Sequence, residues 1–228
     1  MDSQSRRDWS ALAAPDIPTK QETPALDTFV SQLPAGARVL DLGCGNGGVT
    51  RKLVARGLVA VGVDLHVAAL EAARVAVPEA RFYERDVAAV DGLQLPEARF
   101  DAVICQLLLS IVGDAADRAR LLHNARAWLA PGAALYASLS GLSEDLNPEY
   151  AATYARDAPL TGEHGTYLSR DSAGRVLYRT HHFSRPEIEA LLRACSFEPS
   201  LLEERIEASS RRPEQRARFY YLVARPLS

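Results

Sequence analysis

Lysine is almost missing from this chain. Lys20 and Lys52 are the only two, so the 26 basic residues are nearly all arginine. That imbalance reflects coding composition rather than a binding task, and a formal net charge of -3 offers no broad attractive field for nucleic acid. Cysteine is also scarce. Cys44, Cys105 and Cys195 lie far apart and form no C-x-x-C pair, which argues against a disulfide framework or a zinc knuckle. No metal is expected. The longest apolar run, Val103 to Val112, is interrupted and too short to span a bilayer, and the polar N-terminus lacks the apolar core of a signal peptide. The expectation is therefore a cytoplasmic protein with no membrane partner, acting as a monomer or homodimer. At 228 residues and 47% hydrophobic composition, the chain suits one well-buried α/β domain and is too short for two.

What is present concentrates between Val39 and Asp64. Arg38 to Leu42 is a short strand pattern, the glycines at 43, 45, 47 and 48 make a tight turn, and Val49 to Arg56 reads as a helix. Strand, glycine turn and helix start form the ligand-binding corner of an α/β sheet. A second strand, Leu58 to Val63, delivers Asp64 at its carboxyl end, where an acid can take both ribose hydroxyls. Asp41 stands two residues before the first glycine and is expected to face the pocket mouth. A carboxylate there would repel the pyrophosphate of a dinucleotide, whereas it attracts the ammonium and sulfonium of S-adenosylmethionine.

The stretch D-L-G-C-G-N-G from Asp41 resembles the first motif of the class I S-adenosylmethionine-dependent methyltransferases. Arg81 to Val87 resembles the third motif of that family, Phe100 to Ile104 its fourth strand, and Leu129 to Gly132 the turn entering the fifth. The resemblance covers Pro34 to Ser138 in register and, more loosely, the tail to Pro226. It implies a Rossmann-like α/β fold: a seven-stranded, mostly parallel sheet with the last strand antiparallel, helices on both faces and a small substrate-cap insertion. It also implies S-adenosylmethionine as cofactor, S-adenosylhomocysteine as product, and a cofactor site built from Asp41, Gly43, Cys44, Gly45, Asp64, Leu65, Asp86, Val87 and Gln106. For Asp86 the alternative is a cap on the turn after its strand. Gln106 either lines the cofactor or starts a helix.

Residues 1–33 read as an irregular arm followed by a helix from the Thr23 N-cap and Pro24 to the stop at Pro34. Residues 34–228 read as the methyltransferase domain, with a cap at 141–183. Further helices are expected over Val67 to Val75, Ala115 to Leu129, and from the Ser184-Pro186-Glu187 start signal to Ala194. Strands are expected at Ala133 to Ser138, Ser200 to Ile206 and Phe219 to Ala224. Within the cap, Asn147-Pro148 opens a short helix over Glu149 to Arg156. Thr166 to Ser169 and Arg175 to Phe183 flank the turn Asp171 to Gly174 as a hairpin.

The sulfonium methyl is a strong electrophile, so the protein's task is to align a nucleophile, exclude water and, where needed, take a proton. Candidate acceptor-side residues are Trp9, Tyr154, Tyr167 and Tyr178, with His181 or His182 as the base or orienting group. Strand alternation puts Tyr178, Thr180 and His182 on one face and His181 on the other, so at most one histidine meets the pocket. Trp9 either closes over the ligands or anchors the arm. After the fourth strand, Cys105-Gln106-Leu107-Leu108 lacks the signature of base-amino methylation. No Pro-Cys pair occurs for cytosine C5 chemistry, and no carboxylate cluster for a magnesium-assisted site. What remains is a small organic acceptor methylated at oxygen, nitrogen or sulfur. The alternatives are a tRNA wobble-uridine methyltransferase, suggested by Arg211, Arg212, Arg216 and Arg218, a nicotinamide oxidoreductase, or a non-catalytic S-adenosylmethionine-binding protein.

Overall fold

In the computed structural model, Trp9, Leu12 and residues 23–209 and 214–227 are described. The sequence runs α1 (Pro24–Ser31), β1 (Arg38–Leu42), α2 (Gly48–Ala55), β2 (Val59–Asp64), α3 (Val67–Ala76), β3 (Arg81–Glu84) and β4 (Phe100–Gln106). It continues through α4 (Leu108–Ile111), α5 (Ala115–Trp128), β5 (Leu129–Ser140), α6 (Pro148–Thr161), β6 (Thr166–Arg170) and β7 (Val176–His181). It ends with α7 (Arg185–Ala194), β8 (Phe197–Ala208) and β9 (Arg216–Pro226).

Seven strands form one sheet in the order β3-β2-β1-β4-β5-β9-β8. The pairs from β3 to β5 are parallel, and β9 runs antiparallel to both its neighbours. Strand alternation explains why both faces are buried. Leu40, Leu42, Val103 and Cys105 join a core with Leu121, Leu122 and Ala125 of α5 and Ile188 and Leu192 of α7. Val39, Ala60, Ala102 and Ile104 point the other way, onto Leu26, Phe29 and Val30 of α1. Helices thus cover both faces. The strand order reverses between β1 and β4, and ligands of such sheets bind at the carboxyl ends of the strands at that switch.

Several elements differ from expectation. β5 starts at Leu129 rather than after a turn, because Gly132 at φ +80° lies within a bulged stretch where the register slips between Phe100 and Ala102. α6 runs five residues past Arg156: Pro159 lies in its last turn, and Gly162, left-handed at φ +74°, ends it. The Thr23 side chain makes no capping bond to α1 and instead accepts from Lys52 Nζ at 2.8 Å. The Ser184-Glu187 start signal is a reciprocal capping box as expected.

The cap leaves and rejoins the sheet at one neck, where Gly141 bridges Phe183. A Cβ on Gly141 would come within 2.8 Å of both Arg218 and Tyr220, so the neck closes only around glycine. Among the described residues, no helix is long and apolar enough to cross a membrane.

Candidate active site

At the switch point a cleft of about 680 Å³, open to solvent, runs across the ends of β1, β2 and β4. Of the nine residues expected at the cofactor site, Gly43, Gly45, Asp64, Leu65, Val87 and Gln106 line it. The turn is built by backbone geometry: Gly43, Gly45 and Gly47 all have positive φ, which L side chains rarely adopt. The position of a Cβ on Gly45 has nothing within 4 Å, so this glycine keeps the floor of the cleft open. Asp64 locks the turn to the second strand. Its Oδ2 accepts from Gly45 N at 2.8 Å and its Oδ1 from His66 N at 2.9 Å. An ionised carboxylate has about four acceptor sites, so capacity remains for two hydroxyl donors.

Three expected cofactor residues do not line the cleft. Asp41 shares the face of Val39 on β1, so its side chain points beneath the turn rather than to the pocket mouth. It is 1% exposed and accepts from Thr50 Oγ1 at 2.7 Å. Burial raises its pKa to about 7, against the Thr50 hydrogen bond and helped by the charge of Asp64. Cys44 packs its thiol with Leu70, Ala73 and Phe82 under the turn, and burial, then the Asp41 and Asp64 carboxylates, push the thiol well up. Asp86 accepts from Ala88 N at 2.9 Å, the turn-capping alternative.

Sequence reasoning missed five cleft residues: His66, Arg85, Leu107, Leu108 and Ile111. His66 is the N-cap of α3: Nδ1 accepts from Ala69 N at 3.0 Å, which leaves Nε2 to donate to Leu12 O at 2.5 Å. The signal was there, since His66 directly precedes the first residue of a helix. Trp9, from the same arm, lines the cleft, donates Nε1–H to Ile111 O at 3.3 Å and packs on Tyr178 with centroids 4.5 Å apart.

A second pocket, open to solvent and with about 520 Å³ of empty space counting that opening, shares Leu107 and Ile111 with the cleft. Leu107 is left-handed at φ +55° without being glycine, and its N–H donates to Ser138 O at 3.1 Å and Oγ at 2.9 Å. Such a backbone costs about 1–3 kcal/mol and persists where the surroundings over-determine it. Tyr167, Tyr178, Thr180 and His182 line this cavity with Tyr150 and Phe219. Tyr154 does not: it is fully buried behind His182, its hydroxyl 2.6 Å from Nδ1.

The alternation argument for the two histidines holds in space. His182 faces the cavity and burial drives its pKa down to about 3, with His181 contributing, so the ring is neutral. Burial keeps the Tyr154 phenol un-ionised and the Ser143 backbone hydrogen-bonds its oxygen, which leaves its O–H to donate to Nδ1. Nε2 then carries the proton and donates towards Tyr167 Oη at 3.3 Å. His181, in contrast, lies outside the cavity. Its Nδ1 is 2.6 Å from Thr166 Oγ1 and its Nε2 is 2.7 Å from Glu187 Oε1. Arg118, 2% exposed, closes this network through an ion pair to Glu163 and contacts Glu187 at 4.0 Å. Burial alone would raise Glu187, but the His181 hydrogen bond and charge hold it below the usual range. Glu163, His181 and Glu187 are close enough to resemble a metal triad, but Arg118 already supplies their countercharge. The network anchors the cap to α5 and α7.

A reversing parallel sheet, a glycine turn at its switch point and an acid closing the second strand define an α/β protein that holds a nucleoside-bearing cofactor. The methyltransferase domain family matches residues 39–132. Trans-aconitate 2-methyltransferase of Methylobacterium nodulans is 31% identical over 156 residues, 67% of this chain and 58% of that protein. A ubiquinone biosynthesis O-methyltransferase of Alkalilimnicola ehrlichii is 36% identical over 84 residues, 36% of this chain and 34% of that protein. The chain thus spans little more than half of the first curated relative and about a third of the second. Among solved structures, a SAM-dependent methyltransferase from Methanosarcina mazei superposes with a TM-score of 0.81 at 25% identity, covering 90% of this chain and 98% of that one. The chain belongs to the class I S-adenosylmethionine-dependent methyltransferases, and S-adenosylmethionine is its cofactor. The cleft fits it on an observation of its own. Both polar atoms of the Gln106 side chain are buried in its wall with no hydrogen-bond partner among the described residues, a state worth about 1–3 kcal/mol per group to relieve.

Proposed function

We propose that the protein transfers a methyl group from S-adenosylmethionine to an oxygen, nitrogen or sulfur nucleophile of a small organic molecule held in the cap cavity. The carrying observation is adjacency: the cleft and the cavity share Leu107 and Ile111, so donor and acceptor can meet there. In this reading Asp64 takes the ribose hydroxyls, Val87 meets the adenine, Gln106 satisfies its amide on the ligand, and the Gly43 to Gly45 backbone allows close approach. Asp41, bonded to Thr50, holds the turn from beneath. The cofactor supplies an activated methyl; the chain's residues position the acceptor and exclude water.

Neither histidine is the general base. His181 is tied into the ion network, and His182 has its lone pair on the Tyr154 hydroxyl. We assign His182 to positioning Tyr167. Trp9, placed between the cleft and Tyr178, closes over both ligands. Residues 34–228 form the methyltransferase domain with 141–183 as its cap, supported by the Gly141 to Phe183 neck. The tRNA alternative loses support because Arg218 pairs with Asp145 and Glu204 and Arg216 donates to Ile206 O; Arg211 and Arg212 lie outside the described residues. The test is calorimetric binding of S-adenosylmethionine followed by mass-spectrometric detection of a methylated product from a panel of small nucleophiles. Binding with product formation supports the reading. Binding of NADH in its place refutes it.

A further inference from the structure

We infer that the methyl acceptor is an uncharged, planar heteroaromatic molecule that presents a ring-nitrogen lone pair to the reaction. This rests on the methyl-transfer reading above and narrows it. Its first support is charge. No Asp, Glu, Lys or Arg occurs among the described residues lining the cavity, although such residues make up 24% of the chain. A carboxylate or phenolate entering there would lose its hydration and gain no cation in return.

The second support is shape. Only 7% of the chain is aromatic, yet Tyr150 from α6, Tyr167 from β6, Tyr178 from β7 and Phe219 from β9 converge on this one space. Four separate elements supplying flat apolar surface select a flat apolar ligand. Between them the tautomer-fixed chain from Tyr154 through His182 to Tyr167 supplies a polar, uncharged edge.

The third support is the proton balance. A hydroxyl nucleophile must lose its proton around the time of attack. The one imidazole in the cavity wall has its lone pair on the Tyr154 hydroxyl, and its burial disfavours the cationic form that accepting a proton would create. A neutral ring nitrogen has no proton to lose. Its lone pair forms the new nitrogen–carbon bond, and the sulfur–methyl bond breaks with its electron pair left on sulfur, which becomes a neutral thioether. The positive charge passes from sulfur to the ring and no proton moves. The cation so formed lies among aromatic side chains, which attract cations without bearing charge.

The test uses three bicyclic aromatic probes of nearly equal size: isoquinoline, 2-naphthol and 2-naphthoate, with trans-aconitate as a polyanionic control. Each is titrated by saturation-transfer NMR into the protein loaded with S-adenosylhomocysteine, then incubated with S-adenosylmethionine. Isoquinoline is expected to bind at least about tenfold more tightly than 2-naphthoate and to yield the N-methyl cation at a rate independent of pH once its nitrogen is unprotonated. Ser140→Phe, which fills the cavity, should abolish isoquinoline binding while S-adenosylhomocysteine affinity stays within about twofold. Tyr150→Leu, milder in its packing, should weaken isoquinoline alone. Preferred binding or methylation of 2-naphthoate, 2-naphthol or trans-aconitate overturns the inference, as does failure of every aromatic probe to bind. Failure of S-adenosylhomocysteine itself to bind would instead overturn the methyltransferase reading.

Discussion

The cofactor corner and the acceptor cavity adjoin, but they are made by opposite means. The corner is local: one strand, one turn and one helix start supply its backbone, and Asp64, 19 residues beyond Gly45, locks it through a main-chain amide. The cavity is assembled from α4, β5, α6, β6, β7 and β9, elements spread over more than a hundred residues. The corner carries two carboxylates, one of them buried. The cavity wall carries uncharged rings and hydroxyls. A site that must hold one fixed cofactor can be written in a short motif, whereas an acceptor site depends on how a cap is pinned above the sheet.

The pin is the place to break the comparison hardest. Arg118→Ala leaves Glu163 and Glu187 without their buried countercharge and is expected to destabilise the protein by about 3–5 kcal/mol in urea denaturation. The folded fraction should still bind S-adenosylhomocysteine, because the corner does not use the pin.

Next in size is a pH effect with opposite signs in the two regions. His182 titrates at an ordinary 6.5 when unfolded and near 3 when folded, so its stabilisation is present above pH 6.5 and lost as pH falls towards 3. Asp41 titrates at 3.8 when unfolded and near 7 when folded, so its stabilisation is present below pH 3.8 and lost as pH rises towards 7. Each slope is about 1.4 kcal/mol per pH unit, and between pH 3.8 and 6.5 the two oppose each other. Asp41→Asn should unmask stability rising with pH in this window, and His182→Asn should unmask the reverse, both measured by denaturation at several pH values.

Asp64→Ala removes the acceptor for the Gly45 and His66 amides together with the ribose site. It should weaken S-adenosylmethionine about a hundredfold by calorimetry, with little change at the cavity. Gly62→Ala would press a Cβ to 2.6 Å from the Phe82 ring and 2.8 Å from Cys44 Sγ. Overpacking beneath the turn should cost about 1–3 kcal/mol, read as a lower melting temperature. The smallest effect belongs to Tyr167→Phe, which removes the hydroxyl at the end of the His182 chain. It should raise KM for the acceptor by about five- to tenfold and leave cofactor affinity unchanged.

How legible each region was follows from the same contrast. The glycine turn, Asp64 and the capping box at Ser184 were readable because each depends on residues close in sequence, whereas the seven-stranded sheet with its antiparallel last strand came from the family resemblance. That at most one of His181 and His182 faces the cavity was readable from strand alternation; that it is His182 was not, because the choice depends on which face of the hairpin packs over the sheet. Asp41 was misread in position: alternation along β1 puts it with Val39, towards Thr50, and the charge argument had assigned it to the mouth instead. Tyr154 was expected on the acceptor side, but it stacks behind Tyr150, and of the two only Tyr150 reaches the cavity. The Arg118 to Glu163 and Glu187 network joins residues 45 and 69 positions apart, and no local period marks such a pairing.

The central claim is that the acid-marked corner selects S-adenosylmethionine over a dinucleotide. The most direct measurement is isothermal titration of the full chain with S-adenosylhomocysteine and, separately, with NADH. S-adenosylhomocysteine should bind at one site per chain and NADH should give no saturable heat. Saturable NADH binding of equal or greater affinity would contradict the claim.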